Sequence, residues 1–169
     1  MMGANATMFD MLVNLYDESL LDAHIQESVP GQDGYSVVRT PGILADEVAS
    51  FAEQEFSPMW ASETRRSLYS TPSDSYAVVY DNHIVGFCAF NATAKGFFGP
   101  TGVHHDHRGK GLGRILLVNA LLSLRQEGYA YAVIGGVNEA AGFYERTVHA
   151  TRIPSSDKHS IYAHMGISF

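Results

Sequence analysis

The segment from Lys110 to Glu127 constrains this chain more than any other. Its apolar residues (Leu112, Ile115, Leu116, Leu117, Val118, Leu121, Leu122 and Leu124) fall on more than one face of a helix, and Gly128 follows as a C-cap. Such a helix is substantially buried. It is preceded by "GFFGPTGV", aromatic like a strand but interrupted by glycines and Pro100, and followed by "YAYAVIGGV", near-continuously apolar like a central strand. A strand, a helix and a second strand in this order predict a parallel pair. The interruptions in the first predict a bulged or splayed strand whose backbone is left open for a ligand.

The remaining elements fit a mixed α/β chain. "YSVVRT" alternates like a strand, and Gly42 to Phe56 carries Leu44, Val48, Phe51 and Ala52 at amphipathic helical spacing. A second helix runs through "PMWASETRRSLYS". "SYAVVYDNHIVGFCAFNAT" gives two strands turned tightly at Asp81-Asn82. "NEAAGFYERTV" is a short helix with Asn138 as its N-cap, and "TRIPS" and "IYAHMGI" read as strands. The turn formers of "VPGQDG", Val29 to Gly34, separate an N-terminal arm, residues 1–34, from a main domain, residues 35–169. Within the arm "MLVNLYD" is strand-like and "SLLDAHIQES" is a short helix opened by Ser19. An arm this short has no core of its own, so it is expected to pack on the main body or on a second subunit, as in a homodimer.

Composition excludes several functions. A net charge of −7 argues against a general nucleic-acid binder. No segment has the ~18 consecutive apolar residues of a membrane span, and no secretory signal opens the sequence, so a cytoplasmic protein is expected. A single cysteine, Cys88, rules out an internal disulfide or a multi-thiolate zinc site. Its apolar setting, "HIVGFCAF", predicts a buried and inert thiol.

"GVHHDHRGKGLGRILL", Gly102 to Leu117, invites three explanations. A metal site would draw on His104, His105 and His107, but adjacent residues on a short turn are expected to point apart, so no metal is expected. A nucleotide loop needs Ser or Thr after its lysine, whereas Lys110 is followed by Gly111. The dinucleotide pattern ends on Arg114 or Leu116 where a glycine is required. What remains is R-G-K-G-L-G at a helix start. Glycines allow an anion to approach the backbone, and unpaired N–H groups point at it. Arg108, Lys110 and Arg114 sit where the helix dipole disfavours cations, and a bound anion would account for them.

The same residues resemble the cofactor loop of the GNAT acetyltransferases, which runs Arg or Gln, two residues, Gly, any residue, then Gly or Ala. Arg108, Gly111 and Gly113 occupy those places. Further on, "IGGVNEAAGFYER" is similar to the family's strand, Asn, small residue and Phe-Tyr-Glu, matched by Asn138, Ala141, Phe143, Tyr144 and Glu145. The order of elements from Tyr35 onward also fits. The resemblance implies a mostly antiparallel central sheet with a splayed parallel strand pair and helices on both faces. It implies acetyl-CoA as donor and a small-molecule amine as acceptor. Pyrophosphate would lie on the backbone of Gly109, Lys110, Gly111, Leu112, Gly113 and Arg114, beside Arg108. The pantetheine arm would lie between the splayed strands. The N–H of Val103 would polarise the thioester, Asn138 would contact pantetheine or acceptor, and Tyr144 would protonate the departing thiolate. A phenol, with a pKa near 10, holds its proton at neutral pH and can give it to a basic leaving group. For the general base Glu53, Glu55, Glu63, His104 and a water relay all stay open. Trp60, Glu53 and Glu55 near the expected substrate side favour a cationic amine. A CoA-binding module with little catalysis is the alternative.

On this reading chelation leaves acetyl-CoA binding and activity intact, and converting His105 and His107 to Asn costs little. Arg108→Ala weakens binding by removing a charge beside the pyrophosphate. Stoichiometric transition metal in the purified protein, lost together with activity, would overturn it.

Overall fold

The computed structural model describes residues 7–19 and 34–167. The strands are β1 (Phe9–Asn14), β2 (Tyr35–Arg39), β3 (Ser75–Tyr80), β4 (His83–Phe90), β5 (Phe97–Val103), β6 (Tyr131–Val137) and β7 (Thr151–Arg152). The helices are α1 (Ala45–Glu55), α2 (Pro58–Leu68), α3 (Leu112–Gln126), α4 (Ala141–Val148) and α5 (Ile161–His164). The strands form one sheet in the order β2-β3-β4-β5-β6-β1-β7. Every neighbouring pair is antiparallel except β5 and β6, which α3 connects in parallel.

The two faces of β4, whose alternation is shifted by a bulge opposite Val78 and Val79, divide the core in two. Val85, Cys88 and Phe90 face one side with Leu116, Leu117, Leu121 and Leu124 of α3 and with Tyr144 and Val148 of α4. Ile84 and Phe87 face the other, against Val48 and Ala52 of α1 and Ala61 of α2. The four α3 leucines are almost fully buried, each contributing about 1.5–3 kcal/mol. Helices therefore cover both faces, and α3 buries its apolar residues against β3, β4, β5 and β6. No helix among the described residues is long and apolar enough to cross a membrane.

Local chemistry sets the element ends. Asp81 and Asn82 adopt φ of 47° and 61°, the paired positive values a two-residue hairpin requires. Ser57 caps α2 by accepting from the Trp60 N–H at 3.1 Å, with Pro58 in the first turn.

Several boundaries differ from those expected. α3 begins at Leu112, two residues later than Lys110, because Gly111 takes a left-handed N-cap conformation with φ of 77°. Only Arg114 of the three cations lies in its first turn. Asn138 does not cap α4: the cap position is Ala140, and the Asn138 side chain accepts from the Glu139 N–H at 2.6 Å. "IYAHMGI" is not a strand; Ser160 caps the short helix α5 there, accepting from the Ala163 N–H. The first strand lies at Phe9–Asn14 rather than Met11–Asp17, since the chain turns at Leu15 and Tyr16. It is inserted between β6 and β7, inside the sheet. The helix expected over "SLLDAHIQES" lies outside the described residues beyond Ser19.

Cys88 is buried as expected and directs its thiol at the Leu116 carbonyl, 3.4 Å away. Burial pushes the thiol up to about 12. A thiol reagent at neutral pH is expected to leave the native chain unmodified and to label Cys88 stoichiometrically in denaturant, as mass spectrometry would show.

Candidate functional site

β5 and β6 pair only at Phe97 with Val133 and Phe98 with Ile134. Beyond that point the strands separate, although β5 continues to Val103 and β6 to Val137. The cause lies in β1. Its register with β6 slips between Phe9 and Met11, and the buried carboxylate of Asp10 accepts the Gly136 N–H at 3.0 Å. Gly136, with φ of 66°, bends β6 toward β1 at this point. On the other side of the gap the His104 N–H donates to the Val85 carbonyl of β4 at 2.9 Å. Since amides alternate along a strand, the Val103 N–H faces the opposite way, into the gap.

The gap opens into a groove of about 620 Å³ that continues to the start of α3. Val103, Arg108, Gly109, Gly111, Leu112, Gly113 and Arg114 all line it. Positions Gly109 and Gly111 both have φ of 77°, and at Gly109, Gly111 and Gly113 a Cβ would meet open space. The backbone is thus bare where the helix N-terminus supplies unpaired N–H groups and a positive dipole. Arg108 folds back so that its Nε donates to the Val103 carbonyl at 3.0 Å, linking the loop to the splayed strand.

Three of the residues expected in this site do not line the groove. Lys110 does not line the groove; its ammonium sits 5.9 Å from the centre of the Tyr35 ring. Asn138 is exposed and also outside it, while Ala140 and Phe143 form part of the wall. Tyr144 is 8% exposed and lines no groove, packing edge-on against Phe98 and Phe143 in the core. Burial, with a smaller contribution from Cys88, pushes its phenol up to about 12.

Phe56 and Trp60, stacked at 5.0 Å between centroids, also line the groove. Phe56 lies directly over Gly102 of β5. A Phe at the end of one helix gives no sequence signal of this role; the glycine beneath it does, but only once the two are known to meet.

The candidate bases separate in space. Glu53 is occupied in an exposed ion pair with Arg65 at 2.9 Å. Glu55 lies 3.6 Å from Nε2 of His104. Glu63 faces a second cavity, of about 210 Å³, that shares Trp60 and Phe98 with the groove. The histidines do not diverge as expected: the His104 and His105 rings lie 4.2 Å apart, and His104 and His107 5.7 Å apart. Nε2 of His105 lies 3.1 Å from the Asp106 carboxylate, and Nε2 of His104 lies 3.6 Å from that of Glu55. Glu55, His104 and His105 bring potential ligand atoms within 4.8 Å of one another, outside both cavities. His107 is turned away, its Nδ1 bonded to the Tyr35 hydroxyl at 2.7 Å.

Residues 72–147, from the approach to β3 through most of α4, match the model of the acetyltransferase (GNAT) domain. Solved structures share the fold. One is a GCN5-related glucosamine N-acetyltransferase region in a fungal multi-domain GH3 β-N-acetylglucosaminidase, at 14% identity and TM-score 0.63, covering 86% of this chain and 20% of that one. Another is a GCN5-related N-acetyltransferase from Sphaerobacter thermophilus, at 19% and 0.60, covering 86% and 48%. A third, from Kribbella flavida, gives 18% and 0.55, covering 86% and 54%. The chain therefore spans between a fifth and about half of these proteins. No curated protein matches it in sequence. The domain match takes in the splayed pair, the glycine loop and α3, and the solved structures share the fold around it.

Gly102→Ala places a methyl group inside the Phe56 ring, so Phe56 must leave β5. The variant is expected to lose about 1–3 kcal/mol of stability, measured by denaturant unfolding, together with a changed Trp60 fluorescence.

Proposed function

We propose that this chain transfers the acetyl group of acetyl-CoA to a primary amine of a small molecule. The observation that carries this reading is the gap between β5 and β6, which runs directly into the bare helix N-terminus of α3. An extended pantetheine arm suits the first and a pyrophosphate the second. Gly109, Gly111, Leu112, Gly113 and Arg114 would hold the phosphates, with Arg108 adding charge and Lys110 acting at longer range. The Val103 N–H would stabilise the oxyanion that forms on the thioester carbonyl. Asn138, exposed beside the groove wall, would reach donor or acceptor from the rim. Residues 35–169 form the transferase domain in this reading, and 1–34 an arm whose strand β1 sets the splay. No step calls on a metal, since the Glu55, His104 and His105 group stands apart from both cavities.

Tyr144 is assigned the role of proton donor to the CoA thiolate. Its raised pKa keeps the phenol protonated at every pH at which the enzyme would work. The burial of its side chain also favours a second reading, a CoA-binding module with little catalysis, in which Tyr144 is a core aromatic.

Two variants test these assignments. Gly113 has helical φ and open space around it, so Gly113→Leu fills the cradle without straining the backbone. It is expected to abolish acetyl-CoA binding in calorimetry at unchanged thermal stability; unaltered affinity would remove the loop from the site. Tyr144→Phe keeps the ring and is expected to lower turnover by about 10²–10⁴-fold with acetyl-CoA affinity unchanged. Wild-type turnover would return Tyr144 to the core.

A further inference from the structure

The second cavity has a wall of unusual composition. Met59 and Trp60 of α2, Phe98 and Pro100 of β5, and Met8 before β1 make it largely apolar. Glu63 is the only charged side chain among the described residues that line it. This carboxylate is half-buried, accepts the Thr93 hydroxyl at 2.6 Å, and has no Lys, Arg or His of the described residues within ion-pair distance. A carboxylate held in apolar surroundings without a cation is costly unless a cation arrives with the ligand. The space, about 210 Å³, is smaller than the roughly 300 Å³ at which ligand pockets usually begin. It meets the donor groove at Trp60 and Phe98.

Resting on acetyl transfer as proposed above, we infer that this cavity is the acceptor site and takes a small aryl- or alkylamine with one positive charge and no other, with Glu63 as the residue that binds and deprotonates its ammonium. The wall decides the class. An amino acid would bring a carboxylate that no lining cation meets. A polyamine would bring a second cation that no second carboxylate meets, and an amino sugar would bring several hydroxyls to a wall whose described side chains offer only those of Thr93 and Tyr162, the first already given to Glu63. Glu63 accepts one proton from R–NH3+ and becomes the neutral acid. The amine lone pair forms the C–N bond to the thioester carbon and the C–S bond breaks. The second proton of the nitrogen goes to the thiolate sulfur through the Tyr144 donor, and Glu63 returns the first to solvent. The products are the N-acetylamine, CoA and one proton. Burial moves the Glu63 pKa upward, toward the range of a base working near neutral pH, while the Thr93 hydrogen bond draws it back.

The test compares 2-phenylethylamine with phenylalanine, which differs only by a carboxylate, and with spermidine and glucosamine, using the full chain and acetyl-CoA. The expected result is kcat/KM for 2-phenylethylamine at least tenfold above each of the others. In Glu63→Gln, which preserves shape and the Thr93 contact, that value is expected to fall by about 10²-fold or more, with acetyl-CoA affinity and thermal stability unchanged. Full activity in Glu63→Gln, or equal activity toward phenylalanine or spermidine, overturns the assignment while leaving acetyl transfer intact. A wild-type chain that binds no acetyl-CoA overturns both, and calorimetry with the donor alone identifies that case.

Discussion

The hydrogen bond from the Gly136 N–H to the Asp10 carboxylate is the contact on which the site depends. Two parallel strands joined by a well-packed helix would ordinarily pair along their length. Here β6 stops pairing with β5 after Ile134 and at Gly136 bends toward β1, where its N–H donates to the Asp10 carboxylate. The loss of ladder hydrogen bonds is compensated within the sheet, since Asp10 is itself anchored through its N–H to the Ser156 hydroxyl at 2.8 Å. The backbone left open on β5 is thereby available to a ligand, and the Val103 amide points into the space. The gap in this sheet is bordered by a segment remote in sequence from the motifs that flank it.

The groove and the second cavity have a common wall. Trp60 and Phe98 belong to both, and Phe56 continues that wall over Gly102. Because Trp60 comes from α2 and Phe98 from β5, the junction of the groove and the cavity is set by how α2 lies on the sheet. Ala61 and Thr64 of α2, both fully buried, fix that seat through small side chains that allow close approach. The next positions along the helix, Met59, Trp60 and Glu63, turn to the cavity.

Much of this arrangement was legible in the sequence. The all-round apolarity of Lys110 to Glu127 required a buried helix, the glycines and Pro100 in "GFFGPTGV" indicated a splayed strand, and Arg108, Gly111 and Gly113 marked the anion loop. The first two signals are local, carried by residues adjacent in the chain, and of the third the structure shows a bare glycine loop at the start of a helix. What escaped was non-local. Asp10 gave no sign of controlling β6, which lies 126 positions away in the chain at the bonded residue. Glu53, Glu55 and Glu63 could not be ranked, because only the tertiary fold sends Glu53 to an arginine, Glu55 to a histidine and Glu63 to an apolar cavity. Lys110 was read by charge alone, and its aromatic partner Tyr35 came into view only with the sheet. The last segment was misjudged as strand because a capping serine outweighed its β-branched and aromatic residues.

The contacts of Tyr35 have a further consequence. Its hydroxyl holds His107, its ring receives Lys110 and stacks on Tyr80, and Arg108 is meanwhile tied to the Val103 carbonyl. The loop is thus lashed to an edge strand and to β5 before any phosphate reaches it. Ordering a flexible loop on binding costs conformational entropy that subtracts directly from affinity. Here most of that ordering is already present in the fold, so an anion that meets this loop pays little to fix the chain around it.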